Sequence, residues 1–203
     1  LLIRYPPFFV LLFCFQESQR GHKLLYVCLN NEAYMNTGIQ RSSATPMGAW
    51  TTTTPVGRVI PGKIQHRKDL TAIFAAHDIP YAAQVAPHAW RDLMRKVWKA
   101  IAIDGPSFIN ALSPCPRGWR YYEGETITIS RLAVETCMWP LYEFEDGNWR
   151  LSYNPASKKP VTDWLKSQGR FTHLFRPENR YIIDELQEWV DREWDKLLKR
   201  CGA

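Results

Sequence analysis

The sequence predicts an α/β fold: a parallel sheet between helices, followed by a C-terminal helical tail. Three observations predict it. Short apolar runs alternate with segments of helical period between His22 and Leu112, in the order strand, helix, strand, helix, strand. Two polar clusters follow the first and third strands, and in open α/β sheets ligands bind beyond the carboxyl ends of strands. Past Tyr122 the alternation stops, and the chain closes on a long amphipathic helix.

The elements follow in chain order. The opening run "LLIRYPPFFVLLFCF" is apolar but short of the ~20 residues a spanning helix needs. Its two prolines, with no basic start and no small-residue cleavage site, argue against a signal peptide. It reads as a buried strand or as sequence foreign to the fold. Because the chain opens on Leu1, we expect it to be a piece of a longer protein. His22–Leu29 reads as a buried strand. Residues 30–63 form a long polar segment with "TTTT" at 51–54, and a loop of that length in a compact domain is usually functional.

"KDLTAIFAAHD" places Leu70, Ile73, Phe74 and His77 on one helical face. "YAAQVA" at 81–86 is a short strand. In "AWRDLMRKVWKAIA" the apolar stripe is Trp90, Leu93, Met94, Val97, Trp98 and Ile101. "SFINAL" at 107–112 is the third buried strand. A further helix is expected after Tyr122, then a hairpin turned at Asp146–Gly147–Asn148. The last helix carries Ile182, Ile183, Leu186, Trp189, Val190, Trp194 and Leu197 on its apolar face, and Gly202 follows its end. We expect the tail to wrap this domain or a neighbour.

Composition bounds the function. A chain of 203 residues suits one large domain, and nine tryptophans imply a substantial core, broad interfaces or both. The net charge of +6 is scattered. It forms no basic stripe with interleaved aromatics, which argues against nucleic acid as partner. Cys14, Cys28, Cys115, Cys137 and Cys201 make no CxxC and no regular framework, so a reduced, cytoplasmic setting is expected. The five histidines have no spaced partner for metal or triad chemistry. Arg41, Arg58 and Lys63 read as solvated loop residues with an anion, coenzyme A or another subunit as the alternative.

The cluster "NNEAYMNTGIQ" at 30–40 is the sharpest local signal. Packing has no use for it. Amide side chains and backbone carbonyls are hard oxygen donors, and Mg²⁺ takes few protein ligands while leaving its other positions to phosphate and water. Asn31 offers a side-chain oxygen and Ala33 a carbonyl. Thr37 and Gly38 offer donors to a phosphate. A ligand-free loop of Asx-turns uses the same residue types, and spacing leaves both readings open. The second cluster, "SPCPRGW", holds Cys115 between Pro114 and Pro116, which forces extended backbone around the thiol. A lone cysteine is more often an inert core residue.

"YVCLNNEAYMNTGIQRSSATPMGAWTTTTPVG", with "KIQHRKDL", "SPCPRGW" and the Trp-rich tail, closely resembles the β subunit of pyruvate:ferredoxin oxidoreductase and its 2-oxoacid:ferredoxin oxidoreductase relatives. The resemblance runs from about Gln19 to the C-terminus. It implies a parallel-sheet thiamine diphosphate-binding fold, with residues 17–122 as a partial cofactor-binding domain, 123–203 as a C-terminal extension and 1–16 unlike the family. It implies oxidative decarboxylation of a 2-oxoacid, pyruvate by preference, to an acyl-CoA. The electrons pass through iron–sulfur clusters to ferredoxin, within a hetero-oligomer that includes α, γ and δ subunits.

Carried over by position, the resemblance makes Asn31 a side-chain Mg²⁺ ligand and Ala33 a carbonyl ligand. It directs Asn36 toward the thiazolium and the 2-oxoacid as the catalytic amide. Tyr34, Met35, Thr37 and Gly38 would shape the pocket against the diphosphate. Cys115 would ligate a [4Fe–4S] cluster; Cys28 is expected in the core, and Cys14, Cys137 and Cys201 have no role. The glutamate that activates the cofactor would come from another subunit, leaving Glu32 a local structural bond. Two departures stand out. No Gly-Asp-Gly precedes the first strand, where the family has an aspartate ligand, and the cluster's other cysteines are missing. The alternative is a non-catalytic remnant that folds or docks without cofactor.

Overall fold

A computed structural model describes residues 20, 22–57 and 59–202. The expectations for residues 1–16, for Cys14 and for Arg58 lie outside the described residues. The central sheet has five strands in the order β1–β3–β2–β4–β5. The strands are β1 Leu24–Asn30, β2 Tyr81–Val85, β3 Pro106–Leu112, β4 Tyr142–Glu145 and β5 Asn148–Leu151. β1, β3 and β2 are parallel, with Asn30 opposite Leu112 and Val85 opposite Ala111. The β4–β5 hairpin then adds antiparallel to β2.

The α/β expectation holds, while the sheet is mixed rather than wholly parallel. The hairpin expected to lie in the tail completes the module's own sheet. Its turn residues Asp146 and Gly147 both have positive φ, 45° and 84°, the twist that a tight hairpin needs.

Among the described residues six α-helices surround the sheet. α1 is Leu70–Ala75, α2 Trp90–Ala102, α3 Pro116–Trp119, α4 Thr126–Glu135, α5 Val161–Lys166 and α6 Arg180–Cys201. Asp69 caps α1 by accepting from the Ala72 amide at 3.0 Å, satisfying one of the helix's orphan donors. One sheet face packs Phe108, Ala82 and Phe144 with Phe74 and Ile79 of the α1 region. The opposite face packs Ile109, Tyr81 and Val85 with Ala100 of α2. The largest cluster joins the loop residues Met47 and Ala49 to Trp119, Trp139, Trp164, Leu174, Ile183 and Leu186. The C-terminal segment therefore packs on the module itself, at the carboxyl ends of the parallel strands.

Two packing expectations are corrected. β1 is an edge strand among the described residues, and Leu29 is 66% exposed, so it is not buried throughout. The apolar stripe of α2 also faces solvent: Trp90, Met94, Trp98 and Ile101 are all exposed. Leu93 of the stripe still packs inward with Ala100, and beside them the inward side of α2 is charged. Lys96 is fully buried, pairs with Asp92 at 2.7 Å and donates to the Gln84 carbonyl at 2.9 Å. Arg95 and Lys99 reach Glu143 at 3.2 and 3.4 Å. Periodicity found the stripe correctly. Which side of the helix met the sheet was decided by these ion pairs, with the small Ala100 allowing close approach.

Candidate functional site

β1 and β3 are adjacent and parallel, so their carboxyl ends emerge side by side, and the Ser113 amide donates to the Asn30 carbonyl at 2.9 Å. The two polar clusters are thus brought together, as expected. A buried polar belt fixes their origin. Asn110 of β3 donates to Thr71 and Gln84, each at 3.2 Å, and accepts from the Asn30 amide at 3.1 Å. The other end of that amide, Asn30 Oδ1, accepts from the Glu32 N–H at 3.0 Å. β1 therefore ends in a fixed direction, and the chain turns out of the sheet at Asn31.

The turn is tight. Glu32 sits at φ 62° and Ile39 at 61°, a left-handed backbone that costs a side-chain-bearing residue energy, while Gly38 takes φ 114° as only glycine does readily. Asn31 Oδ1 accepts from the Ala33 amide at 3.3 Å, an Asx-turn. The Asn31 main-chain carbonyl accepts from the Trp119 indole at 2.9 Å. No described residue donates to the Ala33 carbonyl. Thr37 donates to Gln40 at 2.5 Å, and Thr52 donates to the Gly38 carbonyl at 2.7 Å. Asn36, Thr37, Gly38 and Tyr34 are exposed. Met35 turns inward onto the core, against Gly118, where a Cβ would collide with its sulfur.

Cys115 caps α3: its sulfur accepts from the Gly118 amide at 3.4 Å. The thiol is half-buried, one loop away from Asn31, with Met35 and Trp119 between. Cys28 is half-buried and packs at the edge of the Phe108 cluster. Among the described residues no group of three or more His, Cys, Asp or Glu could hold a metal. The chain's own donors fit Mg²⁺ in kind but supply few ligands. They offer a [4Fe–4S] cluster one thiolate, where it takes four.

Glu32 corrects the expectation of a local bond. It is 1% exposed, and its partner lies 138 positions on: Arg170 Nη2 donates to Glu32 Oε2 at 2.6 Å. Arg67 stands 3.7 Å from the other oxygen. The Glu32 carbonyl accepts from Thr45 at 2.5 Å. Lys63 is also corrected: it is buried, and its ammonium donates to the Thr45 carbonyl. Burial, with Arg41 beside it, pulls that ammonium down to about 8.

A cavity of about 320 Å³ opens beside the turn, lined by Tyr34, Arg41, Ser42, Ser43, Lys63, Gln65, His66 and Lys68. Its lining holds three lysine or arginine cations, three hydroxyls and no carboxylate, the chemistry of an anion site. A second cavity, about 230 Å³, lies on the other side of Asn30 against α6 and takes in none of residues 31–38. His66 stacks on Trp189 at 4.9 Å, and His173 meets the Pro61 carbonyl at 2.9 Å. Both histidines are structural.

Asn110, Thr45, Trp119, Arg67 and Arg170 escaped the sequence reading. One signal was present: a glutamate at the end of a strand, with no nearby cation in sequence, demands a distant basic partner.

Residues 16–111 match the family described as thiamine pyrophosphate enzyme, C-terminal TPP binding domain. Pyruvate synthase subunit PorB of Thermotoga maritima is 52% identical over 181 residues, covering 89% of this chain and 56% of that protein. Ketoisovalerate oxidoreductase subunit VorB of Pyrococcus abyssi is 48% identical over 183 residues, covering 89% and 58%. Over 89% of its length the chain is similar to these PorB and VorB subunits. It spans somewhat more than half the length of these relatives. A 2-oxoglutarate:ferredoxin oxidoreductase chain from Magnetococcus marinus, solved with 2-oxoglutarate, coenzyme A and succinyl-CoA bound, covers 59% of this chain and 46% of its own at 18% identity and TM-score 0.46, too slight a likeness to argue from. Within this PorB-like chain, the matched region runs up to β3 and holds the whole turn, while Cys115, Trp119 and Arg170 lie beyond it. No helix among the described residues is long and apolar enough to cross a membrane.

Proposed function

We propose that this chain contributes the Mg²⁺–thiamine diphosphate turn of a 2-oxoacid:ferredoxin oxidoreductase β subunit, acting on pyruvate in the cytoplasm within a hetero-oligomer. The observation that carries the reading is the Asn31–Gly38 turn at the carboxyl end of β1, exposed at Tyr34 and from Asn36 to Gly38 and held beside the Cys115 loop. We take 17–122 as the cofactor module and 123–203 as its extension.

Asn31 would give its amide oxygen to the metal, exchanging its Asx-turn bond, and Ala33 its unclaimed carbonyl. Mg²⁺ with two such protein ligands keeps positions for diphosphate oxygens and water. Tyr34, Thr37 and Gly38 would frame the diphosphate, and Met35 would back the turn from the core side. When bound, thiamine diphosphate supplies the electron sink that decarboxylation of a 2-oxoacid requires. Asn36, exposed at the apex, would donate its amide N–H to the oxygen that gains charge, without adding a competing charge. Arg41, Lys63 and Lys68 would attract phosphate-bearing ligands, coenzyme A included. Cys115 would serve a [4Fe–4S] cluster only with thiolates from elsewhere. Ferredoxin and the α, γ and δ subunits are the partners this reading requires.

The remnant reading fits less well. About half of the aligned residues match a pyruvate synthase subunit across 89% of the chain. The test is calorimetric titration of thiamine diphosphate into the 203-residue chain, with and without Mg²⁺. Saturable binding that needs Mg²⁺ supports the reading. A folded chain that binds neither would overturn it for this polypeptide.

A further inference from the structure

We propose that Arg170, a residue of the C-terminal extension, is the positioning residue for the Asn31–Ala33 turn, acting through Glu32. The turn's part in cofactor binding rests on the reading above; the positioning itself does not.

Arg170 is 2% exposed and approaches Glu32 through a closely packed corridor. Its Nε donates to Gln168 Oε1 at 2.9 Å, and its guanidinium carbon lies 4.0 Å from the Trp119 ring centroid. Phe171 and Trp164 flank it at 4.9 and 5.4 Å. Gly169 admits this approach: its amide donates to the Arg120 carbonyl at 2.9 Å, and a Cβ there would lie 2.9 Å from that same oxygen. The guanidinium is therefore locked in plane and direction before it meets the carboxylate.

The Glu32 backbone is left-handed at φ 62°. Such a conformation persists only when its surroundings over-determine it. Four contacts do so: Asn30 on the amide, Thr45 on the carbonyl, and Arg170 and Arg67 on the carboxylate. Only the Arg170 contact is both charged and within hydrogen-bond distance. Since Glu32 lies between Asn31 and Ala33, its conformation fixes where the amide oxygen of one and the carbonyl of the other point. Arg170 also stacks on Trp119, which donates to the Asn31 carbonyl, so it grips the turn by two routes.

The experiment uses the full chain carrying Arg170→Lys, Arg170→Met or Glu32→Gln. Amide hydrogen exchange is followed residue by residue, with melting temperature and Mg²⁺–thiamine diphosphate titration alongside. Exchange should accelerate at Glu32 and Ala33 while Phe108–Ala111 of β3 stay protected. Cofactor affinity should fall about 10–100-fold, as when support of metal ligands is lost. Arg170→Lys and Glu32→Gln keep the decision open if Arg170→Met does not fold. Unchanged exchange at the turn in a folded variant overturns the proposal. So does acceleration of the turn and β3 together, which would make Arg170 a general stabiliser. If the unsubstituted chain binds no cofactor, the cofactor reading fails and the exchange comparison still decides the positioning.

Discussion

The indole N–H of Trp119 donates to the main-chain carbonyl of Asn31 at 2.9 Å, across 88 positions of sequence. That bond ties the loop after β3 to the turn after β1. The carbonyl it occupies is not one of the two oxygens assigned to the metal, so it acts by holding the turn. Trp119 is fully buried, and a carbonyl left without its donor there bears a desolvation cost.

Trp119→Phe should therefore keep the ring contact with Arg170 and lose the tie. We expect a loss of about 1–3 kcal/mol in stability from the unpaired carbonyl and weakened packing. Chemical denaturation measures it. A variant as stable as the parent chain would mean that water or another donor replaces the indole.

Asn31→Ala removes a half-buried amide oxygen and the one local Asx bond that it accepts. Its stability cost should stay near or below about 1 kcal/mol. Mg²⁺-dependent binding of thiamine diphosphate should be lost. Titration with and without the metal checks this, and unchanged affinity would sink the assignment of Asn31 as a ligand.

Gly118→Ala tests the seat of Met35. The new Cβ would run into the Met35 sulfur, the end of a flexible side chain. Overpacking of this kind typically costs about 1–3 kcal/mol. Adding Met35→Ala should recover most of the loss, and a double-mutant cycle reads the coupling. Additive effects would place the strain elsewhere.

Lys63 predicts a pH dependence. Its ammonium is held near 8 against an ordinary value of 10.5, by burial first and by Arg41 second. Between those values the unfolded chain binds more protons than the folded one, so stability from this group rises with pH across the window. Lys63→Met should flatten that rise in melts taken from pH 7.5 to 10. An anion seated in the cavity beside it should favour the charged form. Phosphate or pyrophosphate binding near pH 8.5 should then take up protons, seen as buffer-dependent heats in calorimetry.

Much was legible in residue order. The strand–helix alternation, the hairpin at Asp146–Gly147 and the amphipathic α6 follow from periodicity and turn chemistry, which are local. Asn31 through Gly38 stood out because polar residues at a strand end have no packing use. Their placement beside Cys115 followed from the rule that parallel neighbours expose their carboxyl ends together. The stripe Trp90–Met94–Trp98 was equally legible, but its direction was not. Lys96, buried and paired with Asp92 of its own helix, reaches the Gln84 carbonyl of β2, and Arg95 and Lys99 reach Glu143 of β4, so these polar contacts turned the helix and left the apolar face outside.

The local chemistry of this chain, then, was determined by its sequence: where the polar turn begins, which atoms it can offer and where the helices start and stop. Its tertiary structure alone decided how that turn is aimed. Asn110, Thr45, Trp119 and Arg170 reach it from 13 to 138 positions away by the bonds they make to Asn30, Asn31 and Glu32. Such partners leave no local pattern, because a buried carboxylate specifies that a cation must come, and only the folded path of the chain specifies which one.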